Sequence, residues 1–120
     1  MPHITLEYSD NVSLDFKLFF EELKNKLVET GYVSAMGIKC RAVPSTVHFI
    51  IDGNPSYKMV NLLLRLREGR SLEVRKKLSQ IGISLLEKYF QKEITNKEII
   101  LSTEVKELIT GLDITKNAIR

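Results

Sequence analysis

The sequence lacks tryptophan altogether, and its 120 residues include a single cysteine, Cys40. One cysteine excludes an internal disulfide framework and leaves no cysteine cluster for a metal ion. No apolar run approaches the roughly 18 residues that a membrane span requires, and the first residues lack the basic-then-apolar layout of a signal peptide. We therefore expect a cytoplasmic protein that has no membrane segment and no metal site.

The composition that is present is ordinary for a globular protein, with 43% hydrophobic and 28% charged residues. A chain of this length buries enough surface for one core, so we expect residues 1–120 to form a single domain. The net charge of +3 permits anionic partners, but a few surplus lysines do not imply nucleic-acid binding. Neither nucleic acid nor a membrane is therefore expected as a partner.

Hydrophobic periodicity predicts strands that alternate with helices. Residues 3–8 (HITLEY) alternate apolar and polar side chains, which is typical of a strand. From Phe16 to Leu27 the apolar residues recur at helical spacing, with Ser13 as the predicted N-cap and Gly31 as the left-handed residue at the end. Further along, the pattern predicts extended segments at 38–43 and 47–51, a turn at 52–55, a strand at 57–67, a helix between a Ser71 cap and Tyr89, and a strand at 98–108.

The two halves of the chain repeat this pattern. When the sequence is shifted by 58 positions, Ile4–Asp15 lies on Leu62–Glu73, and the Ser-Leu-acid helix caps coincide. The halves, about 1–56 and 57–120, each read as a β-α-β unit. Because such crossovers are right-handed, they place both helices on the same face of one sheet. The expected fold class is α+β, with a four-stranded mixed sheet and two helices on one face.

The sheet face opposite the helices needs a cover in this arrangement. Alternate positions of residues 61–66 (NLLLRL) are too apolar to remain in contact with water. We therefore expect an obligate oligomer whose protomers pack through that face of the sheet.

Arg70 is the first candidate for a binding residue. In the alignment of the two halves, Arg70 corresponds to Val12, and it directly precedes the Ser71 cap. A cation at a helix N-terminus opposes the helix dipole unless an anion lies between them. Arg70 beside free backbone N–H groups makes a cradle for a carboxylate. A solvated surface arginine is the alternative interpretation of the same position.

Lys39 and Arg41 alternate along the second predicted strand, so they project to the same side of it. They are candidates for holding a second anionic group, although basic residues are also common on exposed strand faces. Cys40 lies between them, and flanking cations favour a lowered thiol pKa. Without a recognisable histidine partner, however, a catalytic thiol is not expected.

Pro2 directly follows the initiator Met1. Aminopeptidases remove methionine before a small residue such as proline, and this removal would leave a free prolyl amine, which is a strong base. The structural alternative is a proline at the edge or first position of a strand, where it costs little. If Met1 is retained, the nitrogen of Pro2 is an amide and cannot act as a base.

Four motifs carry a resemblance that covers nearly the whole chain. In order and spacing, the chain resembles the signatures of the 5-carboxymethyl-2-hydroxymuconate delta-isomerase family at MPHITLEYSDN, GIKCR, GRSLEVR and LSTEVKEL. That family belongs to the tautomerase superfamily, together with 4-oxalocrotonate tautomerase and macrophage migration inhibitory factor. The resemblance implies a β-α-β repeat that is assembled as a homotrimer.

Carried over to this sequence, the resemblance implies that Pro2 is the catalytic acid/base and that Arg70 binds the substrate. The second cationic site falls on Lys39 or Arg41. The family commonly has arginine where Lys39 stands, and lysine keeps the charge but loses the two-pronged contact with a carboxylate. This difference bears on the identity of the substrate more than on the type of reaction.

The implied activity is that of a cofactor-independent isomerase in aromatic compound catabolism, in the homoprotocatechuate pathway. It moves a proton in an unsaturated 2-hydroxy (enol) di- or tricarboxylic acid such as 5-carboxymethyl-2-hydroxymuconate, with neither a cofactor nor a metal. One group with a pKa near neutrality can perform both proton transfers. Burial and neighbouring cations lower the pKa of a terminal amine from its usual range of roughly 7.7–8.0.

Two alternatives stay open. A catalytically inactive tautomerase-fold protein that serves as an interaction partner has the same fold. An RNA-recognition-like module has a similar order of elements. The second alternative is disfavoured because residues 60–66 (VNLLLRL) contain no aromatic side chain for base stacking and the RNP1 signature is absent.

Overall fold

Strands and helices follow one another in the computed structural model, which describes residues 2–119. The elements are β1 (His3–Ser9), α1 (Phe16–Glu29), a 3₁₀ turn (Ala35–Gly37), β2 (Lys39–Ser45), β3 (Lys58–Arg67), α2 (Leu72–Tyr89), α3 (Gln91–Thr95) and β4 (Ile99–Leu108). The chain therefore contains two β-α-β units in succession, first β1-α1-β2 and then β3-α2-β4.

Within residues 2–119, four strands lie in one mixed sheet in the order β2-β1-β3-β4. β1 is parallel to β2, β3 is parallel to β4, and β1 pairs antiparallel with β3 at the centre. This is the arrangement that the sequence repeat predicts, because each parallel pair is joined through its own helix. The α+β class and the mixed sheet are therefore confirmed.

The core lies between one face of this sheet and the helices α1 and α2. Alternate side chains of β1 and β3 point into it, as the two-residue period of a strand requires. Ile4, Leu6, Leu62 and Leu64 are at most 1% exposed, and burying a side chain of this size contributes roughly 1.5–3 kcal/mol. Their partners in the core are the buried helix residues Phe19, Leu23, Leu27, Leu78, Leu85 and Leu86.

The sheet face opposite the helices, here called the open face, is not the apolar surface that the sequence suggests. Leu62, Leu64 and Leu66 turn into the core, which leaves Leu63 as the apolar residue of NLLLRL on the open face. The expectation of an apolar sheet face is therefore wrong, because most leucines of β3 pack against the helices on the other face. The other open-face residues of β1 and the second half of β3 are His3, Thr5, Glu7, Asn61, Arg65 and Arg67.

Helix α2 approaches the sheet closely at Gly82. A Cβ at this position would lie 3.0 Å from Leu62 Cδ2 and 3.1 Å from Thr103 Cγ2. Both distances are shorter than ordinary van der Waals contact, so the absence of a side chain lets α2 rest directly on β3 and β4. This contact fixes the position of the helix whose N-terminus follows Arg70.

One of the two predicted helix caps is confirmed. Ser71 Oγ accepts a hydrogen bond from Val74 N at 3.2 Å, so α2 begins where the sequence indicates. The Ser13 prediction is wrong, since α1 begins two residues later and Asp15 is its N-cap. Asp15 Oδ1 accepts from Leu18 N at 3.1 Å. The aspartate also places a negative charge at the positive end of the helix dipole, which a serine does not do.

Two further segments differ from the prediction. Residues 47–51 form no strand and belong to the loop between β2 and β3, since β3 already has β1 and β4 as its neighbours. The sequence pattern also does not predict α3, which follows the buried Phe90 at the end of α2. Residues 2–119 thus contain three α-helices, where the sequence predicts two.

Candidate active site

The predicted site residues gather at one end of the sheet. β1 and β2 begin at this end, whereas β3 and β4 finish there, because β1 runs antiparallel to β3. Pro2 precedes β1, Lys39 is the first residue of β2, and Arg70 lies between the end of β3 and the start of α2. The topology therefore brings together residues that lie up to 68 positions apart in the chain (70 − 2).

Pro2 is buried at the entrance to β1. Its carbonyl oxygen accepts a hydrogen bond from the backbone N–H of Lys39 at 3.1 Å. This bond extends the β1–β2 ladder by one step, so Pro2 is held in place by the sheet itself. The nitrogen of Pro2 is basic only if Met1 is removed. Met1 lies outside the residues that the structure describes.

Lys39 and Arg41 lie on the open face, as the alternation along β2 predicts. Their neighbours on β1 are His3 and Thr5 respectively. Lys39 is half-buried, and its Nζ donates a hydrogen bond to the carbonyl oxygen of Gly37 at 2.9 Å. Arg41 is exposed. Both cations therefore lie beside the first residues of β1, directly after Pro2.

His3 lies among three cations at this end of the sheet. Burial lowers its pKa, and Lys39, Arg65 and Arg41 lower it further, in that order, whereas Asp113 raises it. Each cation disfavours a second positive charge on the imidazole. Within residues 2–119, the buried Nδ1 of His3 has no hydrogen-bond partner. Sequence reasoning gave His3 no functional part, because the strand register that surrounds it with cations is not visible in the sequence.

Arg70 directs its guanidinium to backbone carbonyls. Nε and Nη2 both donate to the carbonyl oxygen of Tyr32, at 2.9 and 2.8 Å, and Nη1 donates to that of Arg67 at 2.9 Å. These bonds use three of the five N–H groups of an arginine. Arg70 thus ties the loop before β2 to the end of β3, and two of its N–H groups take no part in these three bonds. It lies at the same end of the sheet as Pro2 but is directed toward Tyr32 and Arg67.

Cys40 contradicts the expectation of a lowered thiol pKa. It alternates with Lys39 and Arg41 along β2, so its side chain lies on the helix-covered side of the sheet and packs against the core. Burial raises its pKa, and the opposing effects of Arg41 and Lys24 are smaller. Adjacency in sequence misleads here, because neighbouring residues of a strand point to opposite faces.

The chain after β4 returns across this end of the sheet. Asp113 Oδ2 accepts a hydrogen bond from Arg67 Nη2 at 3.2 Å, and its backbone carbonyl accepts a second one at the same distance. Farther along, Asn117 Nδ2 donates to the carbonyl oxygen of Met36 at 2.9 Å, next to β2. Residues 109–119, here called the C-terminal strap, therefore pass from β4 to the start of β2, close to His3.

Cavities elsewhere in the protomer lie away from Pro2. One of about 270 Å³ lies under the β2–β3 loop, between Phe49, Met59 and Ile100, and one of about 230 Å³ lies between α1 and α2. Among residues 2–119, no group of three or more His, Cys, Asp or Glu side chains is placed to bind a metal ion. The described helices include none that is both long and apolar enough to cross a membrane.

The chain shares its fold with solved tautomerase structures. A fused 4-OT wild-type symmetric trimer superposes on it with a TM-score of 0.74, although only 11% of the residues are identical, and the match covers 96% of this chain and 92% of that chain. At this level of identity the likeness establishes the fold alone. It agrees with the superfamily that the sequence motifs indicate.

The particular family follows from closer relatives. The family model of 5-carboxymethyl-2-hydroxymuconate isomerase matches residues 2–120, so the chain belongs to that family and is an isomerase. The 5-carboxymethyl-2-hydroxymuconate Delta-isomerase of Escherichia coli is 29% identical over 119 residues, which cover 98% of this chain and 94% of the relative. The crystal structure of a 5-carboxymethyl-2-hydroxymuconate isomerase from Deinococcus radiodurans R1 has a TM-score of 0.89 at 30% identity, covering 98% of this chain and 90% of that chain.

Proposed function

We propose that this isomerase moves a proton within an unsaturated 2-hydroxy (enol) di- or tricarboxylic acid such as 5-carboxymethyl-2-hydroxymuconate. Pro2 is the acid/base, and Lys39, Arg41 and Arg70 bind the carboxylates of the substrate. The reaction uses no cofactor and belongs to the catabolism of aromatic compounds. Residues 1–120 work as one tautomerase-like domain of two pseudo-repeats.

The burial of Pro2 beside Lys39 is the observation that carries this proposal. The hydrogen bond from Lys39 N to the Pro2 carbonyl holds the proline at the edge of a cationic region. Burial and positive neighbours both disfavour an ammonium ion, so they lower the pKa of a terminal prolyl amine below its usual value of roughly 8. Such an amine is neutral near pH 7 and can accept a proton.

The reaction then needs only one acid/base group. The neutral amine of Pro2 takes the proton of the enol hydroxyl, and the electron pair of that O–H bond stays on the substrate as a dienolate. The negative charge spreads along the conjugated carbons toward the far carboxylate. The protonated amine returns a proton to a distant carbon, so the enzyme ends in its starting state. Lys39, Arg41 and Arg70 stabilise the dienolate by their charge.

A homotrimer is the assembly that we propose for this chain. Apolar side chains stand exposed at two places, the β2–β3 loop and the C-terminal strap. Phe49 is 75% exposed and Ile114 is 87% exposed, and contacts between protomers would cover them. The fused 4-OT neighbour of the same fold is a symmetric trimer. Light scattering at micromolar concentration should give three times the protomer mass, and a monomer would contradict the proposal.

The N-terminus provides the direct test of the mechanism. Protein whose intact mass shows that Met1 has been removed should isomerise 5-carboxymethyl-2-hydroxymuconate. An N-terminal extension should reduce kcat by roughly 100-fold or more, because an amide nitrogen is not a general base. The kcat/KM of the processed protein should rise with pH as the amine loses its proton, with a midpoint below that of an ordinary chain terminus.

Pro2→Ala is the matched variant for this test. It leaves a primary amine in nearly the same position, so a reduced but measurable rate is expected. Circular dichroism and light scattering check that the fold and the assembly are unchanged. Full activity in an extended protein of verified mass would exclude Pro2 as the base. It would direct attention to His3, because the side chains of Cys40 and Tyr8 pack against the core on the helix-covered side of the sheet.

Arg70→Ala tests the assignment of the carboxylate site. A charge-assisted hydrogen bond is worth roughly 1.5–3 kcal/mol, so kcat/KM for a dicarboxylate should fall roughly 10- to 150-fold. A neutral enol such as a phenylenolpyruvate ester should lose far less. Lys76→Ala, which removes an exposed cation from α2, is the control. Equal losses on both substrates would assign Arg70 to the structural contacts with Tyr32 and Arg67 alone.

A further inference from the structure

Basic side chains form a row across the open face near its Pro2 end. His3 is paired with Lys39 on β2 and with Arg65 on β3, and Arg65 is paired with Lys106 on β4. Residues at matched positions of neighbouring strands point to the same face and lie about 5 Å apart. Lys39, His3, Arg65 and Lys106, here called the basic row, therefore cross all four strands.

The lysine and arginine side chains of the basic row form no ion pair within residues 2–119. Among these residues, no ion pair joins Lys39, Arg65 or Lys106 to a carboxylate. Glu104 shares the open face of β4 with Lys106, but its Oε1 accepts a hydrogen bond from Asn61 Nδ2 at 3.1 Å, on the side away from the row. Glu107, next to Lys106 in the chain, lies on the other face and pairs with Arg75. Asp113 of the C-terminal strap pairs instead with Arg67, one step beyond the row.

Unpartnered donors add to this imbalance. The Nε atom of Arg65 is buried and, among the described residues, has no hydrogen-bond partner, like Nδ1 of His3. Like charges at matched positions of a sheet destabilise it. A bound anion would relieve the repulsion and would accept hydrogen bonds from the terminal nitrogens of Arg65 and from Lys106.

We propose that the basic row binds a small polyanion that carries at least two carboxylate or phosphate groups about 5–10 Å apart. One interstrand step separates Arg65 from Lys106, and two steps separate Lys39 from Arg65, so two anionic groups at this spacing each meet a cation. Lys39 also belongs to the proposed substrate site. Arg65 and Lys106 are not among the residues of that proposed site, and binding to the row does not require the proline chemistry.

Isothermal titration calorimetry on the full-length protein at low ionic strength tests the row without any turnover. Inorganic pyrophosphate and tricarballylate are the two probes, and acetate is the monovalent comparison. Both polyanions should bind with one saturable site per protomer, and acetate should bind at least 10-fold more weakly. The tighter of the two polyanions identifies whether phosphate or carboxylate is preferred. Equal affinity for acetate would overturn the proposal, because it would indicate screening of surface charge only.

Arg65→Gln and Lys106→Gln locate the site. Each should raise the dissociation constant of the preferred polyanion by 10-fold or more, since each loses a charge-assisted contact. Lys92→Gln removes an exposed lysine from α3 and should leave the dissociation constant within 2-fold. Unchanged binding in Arg65→Gln, or equal losses in all three variants, would refute the site.

A thermal melt shows whether the variants are folded. Arg65→Gln relieves repulsion from Lys106, so its melting temperature without polyanion should equal or exceed that of the wild type. A lower melting temperature without polyanion would show that Arg65 is a structural residue and would overturn the proposal. Because Pro2→Ala should bind pyrophosphate as the wild type does, a failure of the proline mechanism would leave this result intact.

Discussion

The two faces of β3 carry different kinds of side chain. Leu62 and Leu64 are at most 1% exposed against the helices, whereas their neighbours Leu63 and Arg65 are half-buried on the open face. The same strand therefore supplies the centre of the core and a cation of the basic row. Alternation along the strand separates the residues that pack in the core from those on the open face.

The largest expected difference lies between adjacent leucines. Leu64→Ala should lower the free energy of unfolding by about 2–5 kcal/mol, because it opens a cavity beneath the helices. Leu63→Ala is the matched control on the open face and should cost about 1 kcal/mol or less. Urea denaturation measures both. A loss at Leu63 as large as that at Leu64 would show that the open face is also packed against another surface.

Thiol reactivity distinguishes the faces of β2. The pKa of Cys40 is raised by burial, so the thiolate is scarce at pH 8. Its reaction with a disulfide reagent should be roughly 10-fold slower than that of a free cysteine. Unfolding in guanidinium chloride should abolish the difference. A reaction faster than that of free cysteine would place the thiol under the influence of Lys39 and Arg41 after all.

The pH dependence of stability tests the open face through His3. The folded-state pKa of His3 is below its usual value of 6.5. The unfolded chain therefore takes up a proton first, and stability that is present above pH 6.5 is lost as the pH falls through the lowered folded-state value. His3→Gln should reduce this loss in urea titrations, and Arg65→Gln should reduce it in part. Wild-type and His3→Gln proteins that respond identically to acid would contradict the expectation.

The smallest expected effect concerns the C-terminal strap. Asp113→Asn removes the ion pair with Arg67, whose side chain is 42% exposed, so the loss in unfolding free energy should be about 1 kcal/mol or less. The loss should grow below pH 6.5, because Asp113 raises the pKa of His3. Asp52→Asn in the exposed turn after β2 is the control. An identical response in both variants would show that the strap does not influence the open face.

Local patterns predict much of this fold. The two-residue period of apolar side chains predicts β1, and the Ser71 cap predicts the start of α2. The 58-residue repeat predicts the sheet with its parallel pairs. The run of leucines in β3 misleads, because consecutive apolar residues do not reveal which of them face the helices. The N-cap of α1 is similarly ambiguous, since Ser13 and Asp15 are both good caps and only the packing of α1 decides between them.

The residues of the candidate site can be predicted only where each lies in a short sequence motif. Pro2, Arg70 and the Lys39–Arg41 segment each stand in such a motif. Arg65 and Lys106 lie 62 and 103 positions after His3 (65 − 3 and 106 − 3), and they join it only through strand register. A sequence pattern that describes one strand at a time does not contain that register.

The position of the parallel strands at the two borders of the sheet also affects solubility. β2 and β4 are its outermost strands, so each presents a line of backbone donors and acceptors to its surroundings. Such borders recruit further strands and lead to aggregation unless a neighbour covers them or a residue interrupts them. Pro44 removes one donor from β2, whereas β4 has no proline along its ten residues. The β4 border is therefore where a single chain is most exposed to self-association.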